Sequence, residues 1–345
     1  MNPGRPPVVL GVDAGNSKTV AVVANATGEV LGYGRAGCGD IYGVGAEPGA
    51  VVEVLAAVGR ALAMAGARCE DLSDGAPLTP SVLTNAAFCL AGIDWDDDLA
   101  FWRAELARTM PGLGRFSLHN DGFALLRAGN PDGRGVAVSV GTGGAVVARG
   151  PTGTEWSASF WIVDGAGGTS LGAEAYAAVV RADLGIGPST TLTDALLAEH
   201  GYRDVEALLV GTTGRGTAPV RHAALARAVL DAARDGDDVA ATIVTEQARG
   251  LADYAEAAAR RVGFGAEEVP VVLGGSVLSS ANPALRNATT TALLERIRAC
   301  RVVLTPRSPV VGAVAEALAE SPAGLRPDAL ARLTGFEFPA EFLLT

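Results

Sequence analysis

Val8 to Ala36, VVLGVDAGNSKTVAVVANATGEVLGYGRA, starts as an apolar strand and runs into a turn that carries Asp13, Gly15, Asn16, Ser17 and Lys18. A β-branched strand from Thr19 to Ala24, a turn over Asn25 to Gly28 and a third strand complete the stretch. Gly15 lets the backbone approach a ligand closely, and the amides around it can form an anion-binding nest. Lys18 offers positive charge, Ser17 and Thr19 offer hydroxyls, and Asp13 at the strand end is an acceptor suited to hydrated Mg²⁺. The pattern predicts a phosphate loop mounted on a hairpin. A tight turn with a solvated lysine reads the same way locally, so the choice rests on the rest of the chain. A Walker loop needs GxxxxGK[ST], and a dinucleotide fingerprint needs a helix after its glycines, whereas TVAVVA after Lys18 is a strand-type run.

Outward from the hairpin, Gly37 to Asp40 is a glycine-rich connector, and Pro48 to Ala65 places Val51, Val54, Leu55, Val58 and Leu62 at helical spacing. Leu72 to Pro80, rich in Asp, Gly and Pro, predicts a loop. Val82 to Leu90 reads as a buried strand ending at Ala91-Gly92-Ile93-Asp94. A second helix, Asp98 to Thr109, leads to a short strand, Phe116 to Leu118, with His119, Asn120 and Asp121 at its end.

The opening pattern then returns. Val136 to Val140 is an apolar strand, Gly141 to Gly144 a turn, Ala145 to Ala148 a strand, Gly150 to Gly153 a turn and Glu155 to Val163 a third strand. Two such units separated by a βαβα segment predict an internal duplication, each copy founding one domain. Helical patterns follow over 171–184, 191–199, 219–234, 238–262 and 283–300. A strand, Val269 to Leu273, runs into Gly274-Gly275-Ser276, and Val302 to Leu304 forms another. A last helix, Val310 to Ala319, precedes a tail with Pro322 and Pro327.

With 345 residues, 49% of them apolar and 19% charged, the chain can fill two cores of ordinary size. A net charge of -11 disfavours nucleic acid and anionic membranes as partners, because phosphate contacts would be repelled over most of the surface. The N-terminal segment shows neither a signal peptide nor a membrane span. Cys38, Cys69, Cys89 and Cys300 are dispersed and form no CxxC pair, which fits reduced thiols in a cytoplasm rather than disulfides, zinc or an iron–sulfur cluster.

Three glycine turns that each follow an apolar strand, and a carboxylate at a strand end, all lie where α/β sheets gather ligands. In this order DAGNSKT, GTGG and GGS resemble the two phosphate motifs and the adenosine motif of the superfamily of actin, hexokinase and heat-shock chaperone ATPases. GVDAGNSKT, LAGID, HNDGFALLRAG, SVGTGGAVVA, VVLGGSV and SPVVGAVAEAL are similar to the N-acetylglucosamine kinases and the BadF/BadG/BcrA/BcrD ATPases, over about Val9 to Leu318. The resemblance implies an α/β chain of two ribonuclease-H-like domains of duplicated origin, the actin-like ATPase fold, with an active-site cleft between them. It places one domain at 1–118, a second at 119–308 and a C-terminal helix from 309 packed back onto the first. The implied activity is MgATP-dependent phosphorylation of a sugar hydroxyl in a cytoplasmic homodimer.

On that resemblance Asp121 is the general base, since sugar phosphorylation needs a carboxylate within reach of the accepting hydroxyl. Its alternative is an N-cap for the helix from Gly122. Gly15, Asn16, Ser17, Lys18 and Thr19, with Gly141, Thr142, Gly143, Gly274, Gly275 and Ser276, would bind ATP. Asp13 would order Mg²⁺ through water, and Asp40, Gly92, Asn120, Asp121 and Asp164 would line the sugar. Gly214-Arg215-Gly216 is a candidate adenine contact and Trp161 a candidate border of the sugar. Where the kinases show GDEGSxxxIG this chain has VDGAGGTSLG from Val163, which keeps Asp164 and loses the Glu and Ser. Asp40 stands where the family usually has Asn. A carboxylate there favours a cationic amine and tilts the expected substrate toward glucosamine, with N-acetylglucosamine the alternative; a solvated loop aspartate is the other reading of Asp40. An iron–sulfur ATPase activator would need suitably placed cysteines, which are missing.

Overall fold

The structure, a computed structural model, describes residues 7–43, 46–68 and 82–343. In chain order its elements are β1 (Val8–Ala14), β2 (Thr19–Asn25), β3 (Val30–Ala36), α1 (Ala46–Arg68), β4 (Leu83–Leu90), α2 (Asp96–Thr109), β5 (Phe116–His119) and α3 (Gly122–Gly129). Next come β6 (Gly135–Val140), β7 (Gly144–Arg149), β8 (Glu155–Ser157), α4 (Gly168–Asp183), α5 (Leu192–His200), α6 (Val205–Thr213), α7 (Ala226–Arg234), α8 (Asp238–Arg261) and β9 (Val269–Gly274). The chain finishes with α9 (Ala284–Arg296), β10 (Cys300–Leu304), α10 (Pro309–Glu320), α11 (Pro327–Thr334) and α12 (Ala340–Leu343).

By its contacts the chain divides into two compact units, one made of the residues up to Arg134 and from Thr305 on, the other of Gly135–Leu304. Each holds a five-stranded sheet, ordered β3-β2-β1-β4-β5 and β10-β9-β6-β7-β8. In the first, β1–β2–β3 is an antiparallel meander, and β4 and β5 run parallel to β1. In the second, β6–β7–β8 is the meander, and β9 and β10 run parallel to β6. The two orders are the same topology, so the duplication read from the glycine hairpins extends to the whole sheet. This is the α/β, ribonuclease-H-like arrangement of the actin-like ATPases.

In the first unit α1 and α2 cover one face of the sheet through Val54, Leu62, Trp102 and Leu106, while α10, α11 and α12 cover the other through Val314, Leu318, Leu330 and Phe342. The stretch Glu47–Gly66 of α1 is long and apolar enough to cross a membrane, yet half of it is buried against this sheet, as in a core helix. Pro309 opens α10 at a position where no amide partner is lost. Two glycines let α10 lie close on both sides. A Cβ on Gly11 would fall 2.3 Å from the Val314 nitrogen, and one on Gly312 would fall 1.8 Å from the Ala124 carbonyl. Arg127 of α3 bonds Glu316 of α10 twice, at 2.6 and 3.0 Å. These contacts keep α3 in the first unit, so its limit lies at Arg134 and not at the expected 118, and Asp121 belongs to it.

Other elements differ from the sequence reading. The third strand of the second meander stops at Ser157, because Ala158 turns its amide to Val146 (2.8 Å) and the chain coils into a short 3₁₀ turn over Ser159–Trp161. Trp161 is therefore not on a strand; its ring, with that of Trp156, lies against the Arg261 guanidinium at 4.9 and 4.8 Å. The helix expected over 219–234 begins only at Ala226, after a 3₁₀ turn, and α6, α11 and α12 were not anticipated. The loop expected over 72–80 lies outside the described residues.

Candidate active site

At the carboxyl ends of β1, β4 and β5 the first unit gathers a cluster of carboxylates. Asp13 pairs in register with Cys89, and Cys89 with His119, so one row crosses the three parallel strands. The Ala91 amide bonds the Ala14 carbonyl at 2.7 Å, which brings the loop bearing Gly92 and Asp94 over the end of β1. Beyond β5, Asn120 donates to Asp94 Oδ1 at 3.0 Å and accepts from the Gly122 amide at 3.0 Å. Asp121 stands at the N-cap position of α3, yet the side chain that takes the Gly122 amide there is that of Asn120. Asp121 has helical dihedrals (φ -59°, ψ -27°) and makes no capping bond. One bond at each end orients the Asn120 amide toward Asp94 and still leaves it one N–H and one lone pair.

Electrostatics single out two of these carboxylates. Burial pushes Asp121 up to about 7, with the charges of Asp13, Asp94 and Asp40 adding to the rise and the Gly122 amide opposing it. Burial also pushes Asp13 up to about 7, against the pull of Lys18. A dication relieves such crowding, and a set of carboxylate oxygens is the donor type that Mg²⁺ takes, so the residues present fit the expected ion.

Asp40 accepts from Asn16 Nδ2 at 2.9 Å and from the Tyr42 amide at 2.9 Å. Gly92, with φ +80°, lies so close that a Cβ there would be 2.7 Å from Asp40 Oδ1. The hairpin turn is closed by Gly15 N to Lys18 O (2.9 Å) and tied to the connector by Gly39 N to Gly15 O (3.1 Å). Asn16 and Ser17 are exposed. Lys18, by contrast, donates to the main-chain carbonyl of Leu343 in α12, and Arg35 donates to that of Glu341. The Thr19 side chain is buried beneath Gly39 and beside Ala14.

In the second unit the two expected glycine turns meet. Gly275, at φ +88°, sits against the backbone of Val140, where any Cβ would be 2.5 Å from the carbonyl oxygen, and Val277 N bonds that same carbonyl at 2.9 Å. Gly141 and Thr142 in turn receive the amides of Gly168 (2.8 Å) and Thr169 (3.0 Å), which opens α4 beside the turn. Ser276 lies on the wall of a cavity of about 700 Å³ that continues along α7 and the segment to Pro283. Glycine-lined backbone beside a roomy cavity with both polar and apolar walls suits a nucleotide. The Gly214–Gly216 loop does not line it. Asp164 accepts from the Tyr254 hydroxyl at 3.2 Å and borders a separate cavity of about 180 Å³.

Asp94, which Asn120 bonds, and Asp231 and Asn282, which line the cavity, are residues that the sequence reading does not single out. Asp94 stood in the quoted LAGID motif and lacked only a partner; the other two sit in helical or loop sequence without a motif.

The model of the BadF/BadG/BcrA/BcrD ATPase family matches residues 10–319. A Dictyostelium discoideum N-acetyl-D-glucosamine kinase is 24% identical over 279 residues, which is 78% of this chain and 84% of that protein. The crystal structure of a Chromobacterium violaceum protein assigned as an N-acetylglucosamine kinase superposes with a TM-score of 0.65 at 26% identity, covering 90% of this chain and 98% of the other. A Streptomyces griseus ROK family glucokinase, solved with glucose and AMPPNP, superposes at 0.51 and 18% identity over 90% and 98% of the two chains.

Proposed function

Since the chain belongs to the BadF/BadG/BcrA/BcrD ATPase family, we propose that it is a sugar kinase that transfers the γ-phosphoryl group of MgATP to a hydroxyl of an aminosugar. The observation that carries this reading is Asp121, a carboxylate at a strand end held near 7 by burial and by three neighbouring aspartates. At that value it is poised to take the proton of an alcohol as the hydroxyl attacks phosphorus. Asn120 positions Asp94 beside it, and Asp94 and Asp40 accept hydrogen bonds from sugar hydroxyls. Asp13 would hold Mg²⁺ through water, and the ion when bound supplies positive charge for the phosphates. In the second unit the backbone of Gly141–Gly143 and Gly274–Ser276 holds the nucleotide.

N-acetylglucosamine is the proposed acceptor. The relatives named above that share most sequence with this chain bear that sugar's name. Asp40 accepts one donor on each oxygen and keeps a lone pair on each for a substrate, so it does not by itself choose between the two sugars. Glucosamine remains the second reading, favoured by the four clustered carboxylates, which attract an ammonium group. The enzyme would work in the cytoplasm, as a homodimer, on small molecules alone. Coupled ADP release across a panel of sugars tests the proposal: turnover with N-acetylglucosamine is expected, and no turnover with any aminosugar overturns it.

A further inference from the structure

His119 at the end of β5 meets α10, where Glu316 and Glu320 stand about one helical turn apart. One ligating atom from each of the three lies within 4.8 Å of the others. His119 Nε2 is 3.3 Å from Glu320 Oε1. That separation is long for an imidazolium–carboxylate bond, which closes to about 2.7–2.9 Å, but it matches the edge of a tetrahedron whose centre lies about 2.0–2.1 Å from each ligand.

Both carboxylates are oriented from behind, as metal ligands are. Arg127 donates to each oxygen of Glu316, at 2.6 and 3.0 Å, and leaves a lone pair on each. Asn85 approaches Glu320 Oε2 at 3.4 Å while it also donates to the Ala317 carbonyl at 3.0 Å, so Oε1 is the oxygen turned to His119. Ser117, on the same strand face as His119, has its hydroxyl buried beside Glu320 and adds a further oxygen. Arg127 offsets only one of the two carboxylate charges. The side chains of His119 and Glu316 are 10% and 2% exposed and that of Glu320 is 32%, so Glu320 opens the group to solvent.

We propose that His119, Glu316 and Glu320 bind one divalent cation of the zinc class, at a place distinct from the Mg²⁺ expected at Asp13. An imidazole nitrogen with two carboxylates suits Zn²⁺ or Co²⁺, whereas Mg²⁺ keeps to oxygen ligands. The site uses no cysteine, so the dispersal of the cysteines does not bear on it. By joining β5 to α10 the ion fixes the strand end from which Asn120 and Asp121 follow.

Calorimetry on metal-stripped protein in excess Mg²⁺, without sugar or nucleotide, tests this with Zn²⁺ alone. One site is expected, and His119→Gln, which keeps a donor for Glu320 but is a poor metal ligand, should weaken it by at least about tenfold. Glu320→Gln, at the most exposed of the three side chains, should weaken it similarly and decides if the first variant fails to fold. The chain has three histidines, so ring ¹⁵N NMR of the wild type gives an independent reading: Zn²⁺ should move the signals of one ring, and that response should survive in His200→Gln and His222→Gln. Binding that the folded variants leave unchanged, no binding below about 1 mM, ring signals that Zn²⁺ does not move, or a response lost with His200 or His222 overturns the proposal.

Discussion

Asp13 at the end of β1 and Asp121 just past the end of β5 are both held near 7, and the charge of Asp13 is one of the causes of the rise at Asp121. Two carboxylates coupled in this way titrate as a pair, and anything that neutralises one makes the other more acidic. A cation at Asp13 therefore does more than bind phosphate: it releases Asp121 to serve as a base.

Because the base must be unprotonated, kcat/KM for the sugar should climb with pH and level off, with a midpoint below about 7 once a cation sits at Asp13. Asp121→Asn should lose roughly 10² to 10⁴ in kcat while calorimetry still shows ADP binding. A rate near wild type would remove Asp121 from the chemistry and turn attention to Asp94.

The same shifts act on stability, with the opposite sign to a salt-bridged aspartate. Between about pH 4 and 7 the unfolded chain gives up protons that folded Asp13 and Asp121 keep, so the folded state loses stability as pH rises through that window. Removing the titration by Asp121→Asn should raise Tm in EDTA by about 5 °C at pH 8 and by almost nothing at pH 4. Differential scanning fluorimetry across pH would show this, and an equal shift at both pH values would contradict the assigned burial.

Asp40→Asn should move the ratio of kcat/KM values from glucosamine toward N-acetylglucosamine, by about tenfold. The substituted amide keeps one acceptor for Asn16 but loses the charge that an ammonium would feel. An unchanged ratio would make Asp40 a brace for the hairpin only.

Phe342 is buried against Phe338, whose ring stacks on it at 4.8 Å, and against Tyr33 at 5.0 Å. Phe342→Ala should cost about 3–5 kcal/mol in denaturant unfolding monitored on the whole chain. A loss below about 1 kcal/mol would mean that α12 does not hold the hairpin.

Both sheets were legible because glycine turns after apolar strands mark hairpins whichever domain they found, and because the two copies repeat that order. Asp121 is legible as a strand-end carboxylate, whereas the sequence alone does not tell that its side chain leaves the Gly122 amide to Asn120. The burial of Thr19 was not legible, since a hydroxyl in a phosphate-like motif looks the same in sequence whether or not its strand is covered on both faces. The hold of Leu343 on Lys18 spans nearly the whole chain and leaves no local signal. Nothing in the helical pattern of α7 could have shown that its Asp and Arg residues border a cavity, since spacing tells which face is apolar but not what the polar face meets.

The first unit is interrupted: its sheet is made early and α10, the helix laid on that sheet through Gly11 and Gly312, comes after all of Gly135–Leu304 has passed. During synthesis the inserted part can reach its native state first, while the emerged N-terminal strands wait with one apolar face bare. Stalled chains that carry a linker after residue 304 long enough to clear the ribosome exit tunnel should accordingly yield a protease-resistant core from the inserted part and a cleavable N-terminal part. The last helices to leave the ribosome would then be the ones that shelter it.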